Sequence, residues 1–169
     1  DTSGKFMNLH FESRTKTDKE TGYREFITQY AALIDGELDE TAVMANTAAA
    51  LKEAFGFFWV GFYLAKSEEE LTLGPFQGNV ACYRIKKGRG VCGTAWQKAR
   101  PIIVPDVDLF PGHIACSSAS RSEIVIPVIH NNIIRGVLDI DSDQINSFDD
   151  TDCEGLKQIV DIMVTSLYQ

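Results

Sequence analysis

Apolar residues recur every three or four positions in several stretches of the chain, a spacing typical of amphipathic helices. In one of these stretches a single apolar stripe is formed by Met44, Ala48, Leu51 and Phe55. The predicted helices cover residues 23–34, 40–55, 91–98 and a final segment that follows a cap at Ser147 or Asp149 and ends at Leu167.

Elsewhere the apolar pattern changes to short runs rich in aromatic and β-branched residues, which favour strands. Turn signals such as Gly74-Pro75 and Gly78-Asn79 separate these runs. The predicted strands cover residues 57–65, 71–73, 81–85, 102–104, 123–129 and 133–141. This order of helices and strands predicts an α+β fold, a single domain over residues 23–169 in which helices pack on one central antiparallel sheet.

The beginning of the chain has a different character, because residues 10–22 are polar and carry a mixed-charge run. We therefore predict that residues 1–22 form a flexible N-terminal lead-in. The first six residues are set aside as an added or trimmed end and are left out of the fold prediction.

Composition narrows the range of functions. The net charge is −8 over 169 residues, which argues against a surface for nucleic acid or for anionic membranes. No apolar run approaches the roughly 18 residues that a membrane helix needs. The four cysteines contain no CxxC pair, so neither a disulfide scaffold nor a zinc ribbon is indicated. We expect a cytoplasmic protein without metal or cofactor, in which any disulfide is transient.

Carboxylates cluster at the end of the chain's last predicted strand. Asp139 and Asp141 are two residues apart in an otherwise apolar strand, so both side chains project from one face. Buried like charges raise the pKa of at least one of them and create a proton donor near neutral pH. Glu123 joins this face only if the hairpin register allows it. A two-residue turn at Asn131-Asn132 would send Glu123 to the opposite face, and we predict a three-residue loop that keeps it with the aspartates.

Three cysteines have positions that suit redox chemistry. Cys92 begins a short predicted helix, where the helix dipole would stabilise a thiolate. Cys116 lies in the long irregular segment 106–121, three residues after His113. Either thiol could be the nucleophile, and Cys82, in a predicted strand, could be the resolving partner. Cys153 lies between acidic residues and is interpreted as incidental. His113 could tune Cys116, cap the loop or bind a metal.

Aromatic residues at alternate positions, Phe57, Trp59 and Tyr63, are predicted to share one face of a strand. They could simply belong to the core. They could also form a wall around a small sulfur-containing group, since sulfur packs well against aromatic rings.

With these residues in place, the chain resembles the free methionine-R-sulfoxide reductases, a family built on the GAF fold, over roughly residues 23–167. Six motifs carry the resemblance: WVGFYL at 59–64, LGPFQGNVAC at 73–82, GRGVCGTA at 88–95, VPDVDLFPGHIAC at 104–116, SEIVIPV at 122–128 and GVLDIDS at 136–142. The same three cysteines occur in these motifs in the same order.

The resemblance implies roles for individual residues. Cys116 would be the catalytic cysteine, Cys82 the resolving cysteine and Cys92 a third thiol of the relay. The carboxylates Glu123, Asp139 and Asp141 would hold the substrate, with Glu123 as a candidate acid, and Trp59 and Tyr63 would lie near its methyl sulfoxide end. It further implies free methionine sulfoxide as substrate, thioredoxin as reductant and a homodimer.

One position departs from the family pattern. Ser117 stands where the family commonly has an aspartate after the cysteine, and losing that negative neighbour should ease formation of the Cys116 thiolate. Two other functions are compatible with the same residues. One is a ligand-binding GAF module without catalysis, and the other is a thiol-based redox or metal sensor.

Overall fold

The computed structural model describes residues 16–114 and 116–169. Four α-helices are present among them: α1 (Lys16–Ile34), α2 (Glu40–Phe55), α3 (Gly90–Lys98) and α4 (Asp150–Leu167), together with a short 3-10 helix at Val107–Leu109. The strands are β1 (Trp59–Leu64), β2 (Glu70–Gln77), β3 (Arg84–Lys86), β4 (Ile102–Val104), β5 (Ser122–His130) and β6 (Ile133–Ser142). None of these described helices has the length and apolar character needed to cross a membrane.

The six strands form one sheet in the order β3-β2-β1-β6-β5-β4, and every pairing is antiparallel. The predicted α+β class, with a central antiparallel sheet and helices packed on it, is therefore confirmed.

The two faces of the sheet have different coverings. Alternate residues of β1, such as Val60 and Phe62, enter a large apolar core formed with α1, α2 and α4. The intervening residues Trp59 and Tyr63 enter a smaller cluster with α3 on the opposite face. This alternation follows from the two-residue period of a strand, and it places the candidate residues on the face of α3.

The first helix begins earlier than predicted. Residues 16–22, assigned to the flexible lead-in, form the first turns of α1, whereas residues 1–15 lie outside the described part of the chain. Polar pairing stabilises these turns: Lys19 is buried and donates to Asp152 of α4 at 2.6 Å. The apolar pattern does not predict these first turns, because a buried ion pair anchors them instead of an apolar stripe.

Strand β2 is longer than predicted and continues through Gly74-Pro75, which the sequence marks as a turn. These two residues lie opposite the single residue Phe62 in β1, which makes a β-bulge. A bulge is one of the few positions in a sheet that tolerate proline.

Cys82 was predicted within a strand. It instead lies in the connection between β2 and β3, ahead of Arg84. Phe57 also differs, because it precedes β1 and packs in the large core beside Phe55 rather than next to Trp59 and Tyr63.

Candidate active site

One cavity, on the α3 face of the sheet, is lined by seven of the eight predicted site residues: Trp59, Tyr63, Cys92, Cys116, Glu123, Asp139 and Asp141. The eighth, Cys82, is joined to Cys116 by a disulfide with a Cα–Cα distance of 5.4 Å. The structure therefore brings together all eight predicted site residues, whereas Phe57 lies in the large core.

The β5–β6 hairpin places Glu123, but not in the way predicted. The turn has only two residues, Asn131 and Asn132, both in the left-handed region at φ 51° and 62°. This is the geometry of a tight hairpin turn, and asparagine tolerates it. Our prediction of a three-residue loop is therefore wrong.

A bulge in the same hairpin restores the register. Ile129 pairs with Ile134, but Val128 pairs with Gly136, so β6 carries one extra residue at this point. Glu123 consequently lies opposite Asp141 instead of Ile140. The predicted side of the sheet for Glu123 is confirmed, since the bulge supplies the one-residue shift that we had assigned to the loop.

The carboxylates occupy the centre of the sheet. Asp141 lies between Glu123 of β5 and Trp59 of β1, and Asp139 lies opposite Gly61 of β1. Gly61 has no room for a side chain, because a Cβ there would come within 2.3 Å of the Phe76 Cβ. Its hydrogen lets the rings of Trp59 and Phe76 stack at 5.3 Å between centroids beside the acids.

Burial dominates the electrostatics of the three acids. Loss of solvation, followed by repulsion from Asp139 and Asp141, holds the pKa of Glu123 well above its usual range. Burial followed by the Asp139 charge does the same to the pKa of Asp141, and burial raises the pKa of Asp139. The cluster therefore retains protons at pH values where exposed carboxylates have lost theirs.

The acids differ in their hydrogen bonding. Ser120, from the irregular loop, donates to Oδ1 of Asp141 at 3.1 Å. The Cys92 thiol lies 3.9 Å from Oε2 of Glu123, and Nε2 of His113 lies 3.9 Å from its Oε1. Oδ1 of Asp139 is buried and has no hydrogen-bond partner among the described residues. An unpaired buried acceptor is costly, so this oxygen is suited to a ligand that brings a donor.

Cys92 corrects one expectation. It does lie in the first turn of α3, but it is buried, and burial followed by the charges of Asp139 and Glu123 raises the pKa of its thiol well above the usual range. Desolvation and carboxylate repulsion outweigh the helix dipole, which contributes at most about 2 kcal/mol. Cys92 is thus a neutral thiol in this arrangement rather than a stabilised thiolate.

The disulfide joins two connections that start from opposite halves of the sheet. Cys82 follows β2, near the β3 edge, and Cys116 lies in the segment between β4 and β5. Both cysteines are partly buried, and Cys82 is followed by the largely exposed Tyr83. The bond therefore lies on the face that carries the acids, next to an exposed aromatic side chain.

Aromatic side chains form one wall of the cavity. The rings of Trp59 and Tyr63 are stacked with centroids 6.1 Å apart. Each is tied to the cysteine-bearing connection, because the Trp59 indole donates to the Asn79 carbonyl and the Tyr63 hydroxyl donates to the Cys82 carbonyl. The same contacts that shape an apolar wall therefore position Cys82.

Two contributors were missed at the level of sequence. Phe76 was hidden by the turn signals around it, and Ser120 gave no signal beyond being a hydroxyl near Cys116. Cys153, interpreted as incidental, packs against the large core on the other side of the sheet.

The donor atoms of Cys92, Glu123 and Asp139 lie within 4.8 Å of one another, a spacing that a positive group could occupy. Binding of a metal by Cys92 would require loss of the thiol proton. An ammonium group could instead donate hydrogen bonds to the carboxylate oxygens of Glu123 and Asp139 without that loss.

The sequence matches the GAF domain family over residues 39–167. The chain belongs to this family. Within it, the chain belongs with the free methionine-R-sulfoxide reductases, as shown by its 48% identity to the protein of that name from Escherichia coli, over 82% of this chain and 84% of the relative.

Two further comparisons agree. The GAF domain-containing protein A of Dictyostelium discoideum is 56% identical, over 88% of this chain and 94% of the relative. The structure of free methionine-R-sulfoxide reductase from Neisseria meningitidis in complex with its substrate superposes with a TM-score of 0.86 at 49% identity, covering 95% of each chain.

Proposed function

We propose that this protein reduces free L-methionine-R-sulfoxide to methionine. The observation that carries the proposal is the Cys82–Cys116 disulfide above a buried group of three protonatable acids. The names of the E. coli and Neisseria relatives specify the substrate and its epimer.

The chemistry follows from the groups in the cavity. The Cys116 thiolate attacks the sulfoxide sulfur while Glu123, kept protonated by its raised pKa, donates to the oxygen. The S–O bond of the substrate breaks, methionine leaves, and Cys116 becomes a sulfenic acid. The Cys82 thiol then attacks this sulfur, water is released and the disulfide forms. Two thiols and one sulfoxide thus yield one disulfide, one sulfide and one water.

The pocket also accounts for selectivity towards the free amino acid. The unpaired oxygen of Asp139 and the neighbouring Asp141 suit the three N–H donors of a substrate ammonium. A peptide-bound methionine lacks this group and would leave buried acceptors unpaired, which is a strong basis for rejection. The rings of Trp59 and Tyr63 would contact the methyl sulfoxide end.

Recycling requires an external dithiol, and we propose thioredoxin, which reduces disulfides by thiol exchange. Val80 and Tyr83, on either side of Cys82, are 87% and 75% exposed, and they form an apolar surface beside the disulfide. Cys92 is proposed as a third thiol that can enter the relay. A homodimer and a cytoplasmic location complete the proposal.

The test is NADPH consumption in the presence of thioredoxin and thioredoxin reductase. We expect turnover with free L-methionine-R-sulfoxide and none with the S epimer or the N-acetylated compound. The variant Cys116→Ser should be inactive, whereas Cys153→Ser, a control thiol outside the site, should match the wild type. Tight binding of the sulfoxide by fully reduced protein without turnover would instead favour a ligand-binding module.

A further inference from the structure

The proposed reaction moves protons as well as oxygen. Cys116 must lose a proton before it can attack, and Glu123 must recover the proton that it gives to the sulfoxide oxygen. Both transfers have to occur in a cavity that is largely closed, since only 8% of the Glu123 side chain is exposed.

Most groups around Glu123 cannot carry these protons near neutral pH. Asp139 and Asp141 from β6 are acids with raised pKa values, so each holds its own proton more tightly than an exposed acid does. The pKa of the Cys92 thiol from α3 is raised, and burial lifts the pKa of the Tyr63 phenol from β1 far above neutrality. Among the described residues that line the cavity there is neither lysine nor arginine.

His113 is the exception. Its Nε2 lies 3.9 Å from Oε1 of Glu123, and 15% of its side chain remains exposed. It lines the same cavity as Cys116, three residues further along the loop. The backbone fixes it there, because Gly112 before it has φ 74° and the His113 N–H donates to the Phe110 carbonyl. An imidazole can accept a proton at one ring nitrogen and donate one from the other, so the only basic side chain among the described lining residues has the required chemistry.

We propose that His113 is the proton carrier of the site, taking the proton that the Cys116 thiol loses and delivering it to Glu123. The step balances: the thiol proton reaches His113, the Glu123 proton goes to the sulfoxide oxygen, and the imidazolium proton restores Glu123. The substrate sulfur gains two electrons and the Cys116 sulfur loses two. This inference rests on the proposed function and adds a catalytic residue to it.

The first experiment measures methionine formed in a single turnover by pre-reduced protein, with rapid quenching, between pH 5.5 and 9. For His113→Gln we expect a rate about 100-fold lower near pH 7, the size typical of a lost acid–base group. The deficit should shrink as pH rises, because the Cys116 thiol then ionises unaided. His130→Gln, on the remote β5–β6 turn, is the matched control and should keep the wild-type profile.

A merely structural role is separated by two further measurements. Added imidazole should restore part of the rate to His113→Ala, and His113→Gln in a Cys116→Ser background should bind the sulfoxide with an unchanged Kd.

The outcomes separate the two proposals. Wild-type rate and pH profile in His113→Gln would overturn the carrier while leaving the reductase intact. A pH-independent loss without imidazole rescue would also overturn it. Absence of methionine with the wild-type protein would instead be the failure of the proposed function.

Discussion

Two buried acids, one on each side of the sheet, have opposite surroundings. Asp152, at the start of α4, accepts from Lys19 at 2.6 Å and from the Tyr23 hydroxyl at 2.7 Å, and it also accepts from the backbone of Asp149. Asp139, on the α3 face, has a buried oxygen without a partner among the described residues and shares its surroundings with two other acids.

This difference separates a stabilising acid from one available to a ligand. Burial raises the pKa of Asp152, and the lysine and the other donors around it offset this loss of solvation. Removing one member of such a buried pair leaves the other without compensation, which is strongly destabilising. A group of buried acids without a cation is a cost to the fold. This cost falls on the side of the sheet where the ammonium group of the proposed substrate would offset it.

The largest expected effect comes from breaking the buried ion pair between Lys19 and Asp152. Replacing Asp152 with Asn leaves Lys19 buried without its main partner, although Asp149 remains 3.4 Å from the lysine. We expect the free energy of unfolding to fall by about 3 kcal/mol, the lower end of the range for a broken buried pair. Urea denaturation measures this loss. Asp150→Asn, an exposed acid in the same turn, is the control and should lose less than about 1 kcal/mol.

The variant Asp139→Asn, in contrast to Asp152→Asn, should lose activity and keep its stability. Stability should stay level or rise, because repulsion among the acids is relieved. The kcat/KM for free methionine sulfoxide should fall by about 10- to 100-fold through the lost charge-assisted hydrogen bond. Steady-state kinetics and urea denaturation on the same preparation give both quantities. A variant that is destabilised as strongly as Asp152→Asn, yet kinetically normal, would contradict the distinction.

The buried acids should also make the free energy of unfolding depend on pH. Because the pKa of Glu123 is raised in the folded state, the native protein binds more protons than the unfolded chain between the unfolded value of about 4.3 and the raised folded value. The contribution of Glu123 to stability is therefore fully present below that unfolded value. This contribution is lost as the pH rises through the raised pKa of Glu123 in the folded state.

Thermal unfolding at a series of pH values measures this dependence. The Tm of the wild type should decline with rising pH over that window more steeply than the Tm of Glu123→Gln, which cannot ionise. Parallel curves would show that Glu123 titrates alike in the folded and unfolded states.

The smallest effect concerns the exposed surface beside the disulfide. Tyr83→Ser removes an apolar contact from this surface, so the KM for thioredoxin should rise by a few-fold, equivalent to about 1 kcal/mol of lost apolar contact. Turnover supported by dithiothreitol should be unchanged, because a small dithiol needs no docking surface. Leu38→Ser, an exposed apolar residue between α1 and α2, is the control. Equal slowing with both reductants would place Tyr83 in the chemistry rather than in docking.

Much of the fold could be predicted from the sequence because local patterns of apolar residues, caps and β-branched runs specify it. The helices α2, α3 and α4 follow from apolar periodicity and caps, and the β-branched runs mark the central strands. The errors lie where tertiary contacts override local signals. Gly74-Pro75 forms a bulge rather than a turn, and the first turns of α1 depend on the ion pair between Lys19 and Asp152.

The sequence alone determined that thiols and carboxylates would share a site, and the family motifs named them. Only the tertiary structure decided their states. A bulge in β6 places Glu123 opposite Asp141, and burial raises the pKa values of Glu123 and of the Cys92 thiol. These properties depend on a one-residue shift in register and on solvent excluded by distant segments. Neither can be read from local sequence, because the shift depends on how two paired strands align and the burial on segments far apart in the chain packing together.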